Sequence, residues 1–330
     1  MTRVLSSGAR IFALLLGLAL APGVATAQDG PYPDRPVLLY VGYAPGGFSA
    51  VSAQIIAEKL RQHLKQPVVI NYKPGANQGI AAEFVKNSKP DGYTLIFFAQ
   101  GEVAAKLAKE KAEGAVSAFQ LADFDSLAGG PYSPNAVAVP LASAWTTMEQ
   151  FVDAARKAPG KLSFGSTGVG ATGHLQMDVL AQRAGVVLNH VPFPGGSQAV
   201  TAVAGGHVDI TTFSASTLGS QIKAGGKLRP LLVLDANRTE LAPGVPTSVE
   251  KGYDLIASSW QAVSAPRGLP DATRKVLVDA LANTMKDLEV IEKLRKLDSA
   301  IQYLSPADVD RKTRAEYELY LQAWDRVNKK

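Results

Sequence analysis

From residue 37 onward, short apolar runs alternate with stretches of helical period. Residues 37–41 (VLLYV), 68–70 (VVI) and 93–98 (YTLIFF) are short and rich in β-branched and aromatic side chains, which predicts buried strands. Between them, residues 51–64 place Ile55, Ile56, Leu60 and Leu64 on one helical face, and residues 80–86 repeat the pattern. Pro90-Asp91-Gly92 marks the turn into the third run. Strand–helix alternation of this kind predicts a parallel α/β sheet.

The order restarts after a predicted loop at residues 129–135. Strands are expected at 136–139, 162–165, 187–191 and 208–211, with helices at 147–157, 175–184 and 198–204. Further strands at 231–234 and 262–265 precede two long amphipathic helices, 271–297 (broken in its middle) and 306–327. Two α/β units follow from this pattern, the second inserted in the first if the last helices return to it. The expected division is 28–128 plus 244–330 for one lobe and 129–243 for the other.

The first 27 residues read differently. Arg3 and Arg10 precede an apolar run at 11–21, and Ala25-Thr26-Ala27 is a small-x-small cleavage pattern, so residues 1–27 are expected to be an export signal. The run is too short to span a bilayer, which takes ~20 residues. Loss of the two arginines lowers the net charge from +5 to +3. Charges are scattered, with no basic stripe interleaved with aromatics, so nucleic acid is not an expected partner.

Composition removes several chemistries. The chain has no cysteine, which excludes disulfides, thiolate metal sites and cysteine nucleophiles. His63, His174, His190 and His207 show no metal-binding spacing, so no metal or cofactor is expected. Gly168-x-Gly170-x-x-Gly173 formally fits a dinucleotide fingerprint, but Asn189-His190-Val191-Pro192 stands where the acidic ribose partner belongs. Gly-x-Ser-x-Gly is absent, and no nucleophile–base pair or paired carboxylates stand out.

What remains is three glycine-rich loops, each between a strand and a helix. Free N–H groups at such junctions attract anions, and glycine lets a ligand approach. The first, 43–49, contains Tyr43, Gly46, Gly47, Phe48 and Ser49; it is either a ligand loop or a tight turn with Ser49 as a cap. The second, 166–174, offers Ser166, Thr167, Gly168, Thr172 and His174, the histidine being either a ligand donor or a packed helix-start residue. The third is Pro194-Gly195-Gly196-Ser197.

In this order and spacing the chain resembles the solute-binding receptors of tripartite tricarboxylate transporters, the Bug receptors. The resemblance rests on Tyr32-Pro33-Asp34-Arg35-Pro36, Tyr43-Ala44-Pro45-Gly46-Gly47, Asn71-Tyr72-Lys73-Pro74-Gly75-Ala76 and Lys89-Pro90-Asp91-Gly92-Tyr93-Thr94-Leu95. Ala158-Pro159-Gly160-Lys161-Leu162, Val191-Pro192-Phe193, Ile222-Lys223-Ala224-Gly225 and Val245-Pro246-Thr247 extend it over about residues 32–324. It implies a two-lobed periplasmic binding fold, type II-like, with two parallel or mixed sheets flanked by helices. It also implies a monomeric, periplasmic, non-enzymatic receptor that closes on a small organic carboxylate and serves integral membrane transporter subunits. By position, Gln100 and Gly101 join the first-lobe loop, while Gly196, Ser197, Phe213 and Ser214 support the second.

The chain departs from that pattern where relatives carry acids. Ala50 and the neighbourhood of Phe213 have none, and Phe48 and Phe213 add bulk, which implies a carboxylate with an apolar body. The rival readings are a ligand sensor docking on a signalling partner and a secreted α/β hydrolase.

Overall fold

A computed structural model describes residues 32–327 apart from Gly47 and Ala224, so the expected export signal lies outside the described residues. The first unit runs β1 (Val37–Val41), α1 (Phe48–Leu64), β2 (Val68–Tyr72), α2 (Gly79–Lys86), β3 (Thr94–Ala99) and α3 (Gln100–Ala112). A single long strand, β4 (Phe124–Pro140), follows. The second unit runs α4 (Met148–Lys157), β5 (Ser163–Ser166), α5 (Thr172–Ala184), β6 (Asn189–Pro192), α6 (Gly196–Ala204), β7 (Ile210–Ser214), α7 (Ala215–Ile222) and β8 (Leu228–Val233). The chain then returns through β9 (Ser258–Pro266), α8 (Asp271–Met285), α9 (Leu288–Arg295), β10 (Ala300–Leu304) and α10 (Pro306–Val327).

Pairing gives two mixed sheets joined by one strand. β1 lies parallel between β2 and β3, and β9 runs antiparallel between β3 and β4, with β10 also on β4. Farther along, β4 pairs antiparallel with β7 and β8, while β5 lies parallel between β6 and β7. The predicted α/β class holds, and the two-lobed architecture with it.

Residues 129–135 are strand, not the predicted loop. Gly-Gly-Pro and Ser-Pro read as turn signals, yet the pairing of β4 with β9 skips register between Gly129 and Tyr132. Such a bulge accommodates Pro131, which has no N–H to donate to a ladder. The glycines beside it allow close packing. A Cβ at Gly130 would collide with Met285 of α8, and one at Gly129 would lie 3.1 Å from Val309 of α10. Elements α3, α7 and β10 were not anticipated, and α1 and α5 each begin three residues before their predicted starts. The predicted break in 271–297 falls at Lys286–Asp287, where the Asp287 carboxylate accepts the N–H groups of Glu289 and Val290 and starts α9 afresh.

The cores show what joins the halves. One cluster packs α1, α8 and α9 on β1, β3 and β9. Another buries α6 and α7 against β4. The largest takes Ala104, Ala105 and Ala108 of α3 and Tyr320, Ala323 and Trp324 of α10 together with Phe151, Leu175 and Leu180 of the second unit. Helices α3 and α10 therefore reach across from the first sheet to the core of the second.

At the start of β4, Asp125 is 5% exposed and ties the strand to the chain after β9. It accepts the N–H groups of Gly268 at 2.8 Å and Leu269 at 3.0 Å, and pairs with Arg267 and Arg274, each at 3.2 Å. Burial alone would raise its pKa, but the two N–H groups and the arginines outweigh it and hold the carboxyl below its ordinary 3.8.

Two substitutions test this packing. Asp125→Ala is expected to cost about 2 kcal/mol near neutral pH, chiefly through loss of the buried carboxylate that accepts the Gly268 and Leu269 N–H groups, the arginines being partly exposed. The folded-state pKa is depressed, so the contribution is complete above the unfolded value and is lost as pH falls through the folded one. Urea unfolding of both proteins at pH 7 and about pH 3 should show the gap closing; an equal gap at both would refute the assignment. Gly130→Ala is expected to cost about 1–3 kcal/mol through overpacking against Met285, and a neutral result would mean that α8 yields freely.

Candidate functional site

The first loop is fastened by a residue the sequence reading passed over. Gln78 is fully buried in a left-handed conformation (φ 71°) just before α2. Its side-chain amide donates to the Ala99 carbonyl at 3.1 Å and accepts the Ala99 N–H at 2.8 Å, clamping loop 73–78 onto the junction of β3 and α3. Gly42 is required by this clamp, because a Cβ there would stand 2.6 Å from that of Gln78.

Beside the clamp, Tyr43 donates its hydroxyl to Asn77 Oδ1 at 3.0 Å. Burial, reinforced by the charge of Glu102, pushes the Tyr43 phenol well above its ordinary pKa. Ser49 is buried and accepts from Gln261 Nε2 at 3.3 Å. Gln261 Oε1 and Ser52 Oγ are buried without a hydrogen-bond partner. Gly46 is exposed with φ +98°, Phe48 is half-buried at the start of α1, and Gly47 lies outside the described residues. Gln100 is buried at the start of α3, accepts from Thr313 Oγ1 at 3.4 Å and also lines a cavity of about 500 Å3 between α3 and α10. Gly101 backs onto Glu316 and the Ser258 carbonyl, which lie 3.4 and 3.6 Å from where its Cβ would be.

The second loop leaves β5 at Ser166, which is fully buried. Its hydroxyl lies 2.7 Å from His190 Nε2 and 3.1 Å from the Gly168 carbonyl. This is a nucleophile–base distance that the sequence reading did not anticipate, since His190 stands 24 positions away on β6. His174 resolves as a packed residue: its Nδ1 accepts the Gly170 N–H at 3.0 Å, and its ring stacks on His190 at 3.9 Å. Burial lowers the pKa of His190 below its ordinary 6.5. Thr167 is exposed, whereas Thr172 opens α5.

The third loop is more peripheral. Ser197 is exposed, and Gly196 sits 3.3 Å (from a would-be Cβ) from the Phe213 ring. Phe213 packs on the core under α6, so much of its surface serves its own lobe. Ser214 caps α7, accepting the Thr217 N–H at 3.2 Å, and its hydroxyl lies 2.7 Å from that of Thr217. On the neighbouring ladder Thr212 Oγ1 and Asn135 Oδ1 are buried without hydrogen-bond partners.

The two principal loops meet through Glu102. Thr172 Oγ1 donates to Glu102 Oε1 at 2.6 Å, and Asn77 Nδ2 reaches the Glu102 carbonyl at 3.5 Å. Tyr43, Asn77, Glu102 and Thr172 thus form one polar cluster between the lobes. Nearby, Gly170 (φ +80°) approaches so closely that a Cβ would sit 2.8 Å from both Lys109 and the Trp324 ring. Only a glycine permits both that φ and that contact.

Known proteins share this fold. Residues 52–318 match the family described as the tripartite tricarboxylate transporter family receptor. A Cupriavidus necator protein of the UPF0065 group is 33% identical over 88% of this chain and 86% of its own length. BugT of Bordetella pertussis is 28% identical over 76% of each. Among solved structures, a solute-binding protein from Polaromonas superposes with a TM-score of 0.77 at 28% identity, covering 89% of this chain and 99% of that one. A protein of R. palustris solved with adipate gives 0.75 at 28% identity, over 89% and 98%. The chain belongs to the tripartite tricarboxylate transporter receptor family, the solute-binding proteins of the Bug type.

Proposed function

We propose that this receptor captures a small organic carboxylate between its lobes in the periplasm, as a monomer, and delivers it to the membrane subunits of a tripartite transporter. The observation that carries the reading is the meeting of the two predicted loops in one polar cluster, Tyr43–Asn77–Glu102–Thr172, in a fold whose R. palustris neighbour holds adipate. The lobes are assigned to 28–128 plus 244–330 and to 129–243. The change of partners along β4, from Ser258 at Pro134 to Ser214 at Asn135, supports a crossing there. Closure of the lobes by a hinge would bury the ligand and present one shape to the transporter.

One observation favours a hydrolase, the Ser166–His190 pair. Against it, Ser166 is fully buried and its hydroxyl is shared with Gly168. The receptor reading predicts no ester turnover above that of Ser166→Ala with p-nitrophenyl esters; a burst in the wild type alone would reverse the choice. Docking on a sensor reads the same closed state, and a pull-down with the neighbouring membrane subunits separates the two outcomes.

Binding itself is checked by thermal shift with matched acids and amides. A carboxylate at 100 times its dissociation constant adds about 2.7 kcal/mol of stability, and its primary amide is expected to bind at least about tenfold more weakly, the loss of one charge-assisted hydrogen bond. Equal binding of acid and amide would sink the carboxylate reading. Small-angle scattering with a confirmed ligand should show a smaller radius of gyration, and an unchanged radius would sink closure.

A further inference from the structure

Glu102 is the acidic residue in the first turn of α3, and its carboxyl faces the other lobe. Around it, Tyr43 and Asn77 come from the loops after β1 and β2, and Thr172 from α5. From α10 come Glu316 and Tyr320, both of which feel the Glu102 charge. Lys312 lies 3.6 Å from Glu316. On α3 itself, Lys106 is paired with Glu110, and Lys109 lies over Trp324.

No cation in this set bonds to Glu102. Its hydrogen-bond donors are neutral, the Thr172 hydroxyl and the Asn77 amide. Burial raises its pKa above the ordinary 4.5, against the opposing pull of those two donors. A carboxylate ligand that reaches Thr172 would lie beside this group. Two carboxylates in hydrogen-bond range cannot both stay ionised, so one site takes a proton.

We propose that Glu102 is a specificity-determining residue of the interlobe cleft: it takes up a proton as a carboxylate ligand binds and donates a hydrogen bond to it, in place of the bond it receives from Thr172. This rests on the carboxylate reading above. The receptor then couples ligand capture to proton uptake, and prefers acids of low charge to polyanions. Linkage gives the sign. Ligand raises the Glu102 pKa further, so affinity rises as pH falls through the bound-state value and levels off below the free-state value.

The test is titration calorimetry of the mature protein with C4 to C8 dicarboxylates and benzoate, in buffers of different ionisation heat, between about pH 5 and 9. Expected is uptake approaching one proton per ligand, with affinity changing up to about tenfold per pH unit inside the window. Glu102→Gln, a neutral isostere, should abolish both the uptake and the pH dependence, and bind as tightly as wild type or more tightly at the alkaline end. Thr172→Val, which keeps the acid, should retain the uptake. Ligand binding by wild type without proton uptake, or with uptake that persists in Glu102→Gln, overturns this proposal and leaves the carboxylate reading standing. Loss of binding in Glu102→Gln at every pH, with tight binding of an amino acid by wild type, overturns it in favour of a cation-pairing role. Absence of binding by every acid to both proteins overturns the carboxylate reading, and this proposal with it.

Discussion

The structure depends on a single strand that belongs to two sheets. Along β4 the antiparallel partner changes between Pro134 and Asn135, and at that point two crossing segments are tied together. Asn135 N–H donates to Ala257 at 3.0 Å, its carbonyl accepts from Leu234 at 2.7 Å, and Ala257 N–H donates to Leu234 at 2.8 Å. Its side chain donates to Gln176 at 2.6 Å, and Gln176 to the Tyr320 hydroxyl at 3.1 Å. Backbone ladders resist stretch and shear, but a twisted strand bends readily. The crossing therefore fixes where the two sheets meet along β4.

What lies on either side of this axis differs in kind. On one side, Lys223 and Asp298 are joined at 2.7 Å, and Ser133 accepts the Ser216 N–H at 3.0 Å, so polar links span the crossing where solvent reaches. On the other, α3 and α10 bury alanines and large aromatics in the core of the second unit. Thr172–Glu102 and the contacts of Gly170 join loop to loop there. Apolar burial sets where the helices sit; a few polar contacts decide how the loop ends face each other.

Much of this was legible in the sequence, because buried parallel strands are apolar along their whole length and α/β loops are short. β1, α4 and α10 show that directly. Three kinds of feature were not legible. Residues 129–135 carry turn-forming residues inside a strand, since the bulge and close helix packing, not a reversal, are what need glycine and proline there. Helix α3 hides its face among alanines, whose small side chains give weak periodicity yet permit the closest approach to α10. And the site residues Gln78, Glu102 and His190 work through partners 21, 70 and 24 positions away, a separation no local spacing reveals. The loops were visible; the residues that fasten them to each other were not.

The acid in the cleft changes the meaning of the acids that are absent. Ala50 and Phe213 stand where the family resemblance leads one to expect negative charge, and Ala50 is buried in α1 with no room to act at a distance. Had the cleft held no acid at all, N–H donors and hydroxyls would favour any anion equally. Glu102 removes that indifference. It sits beside Thr172, at the start of α5 where a helix most favours negative charge. A site with good anion donors and one protonatable acid favours a ligand whose charge the donors can satisfy and whose next oxygen the acid can hydrogen-bond.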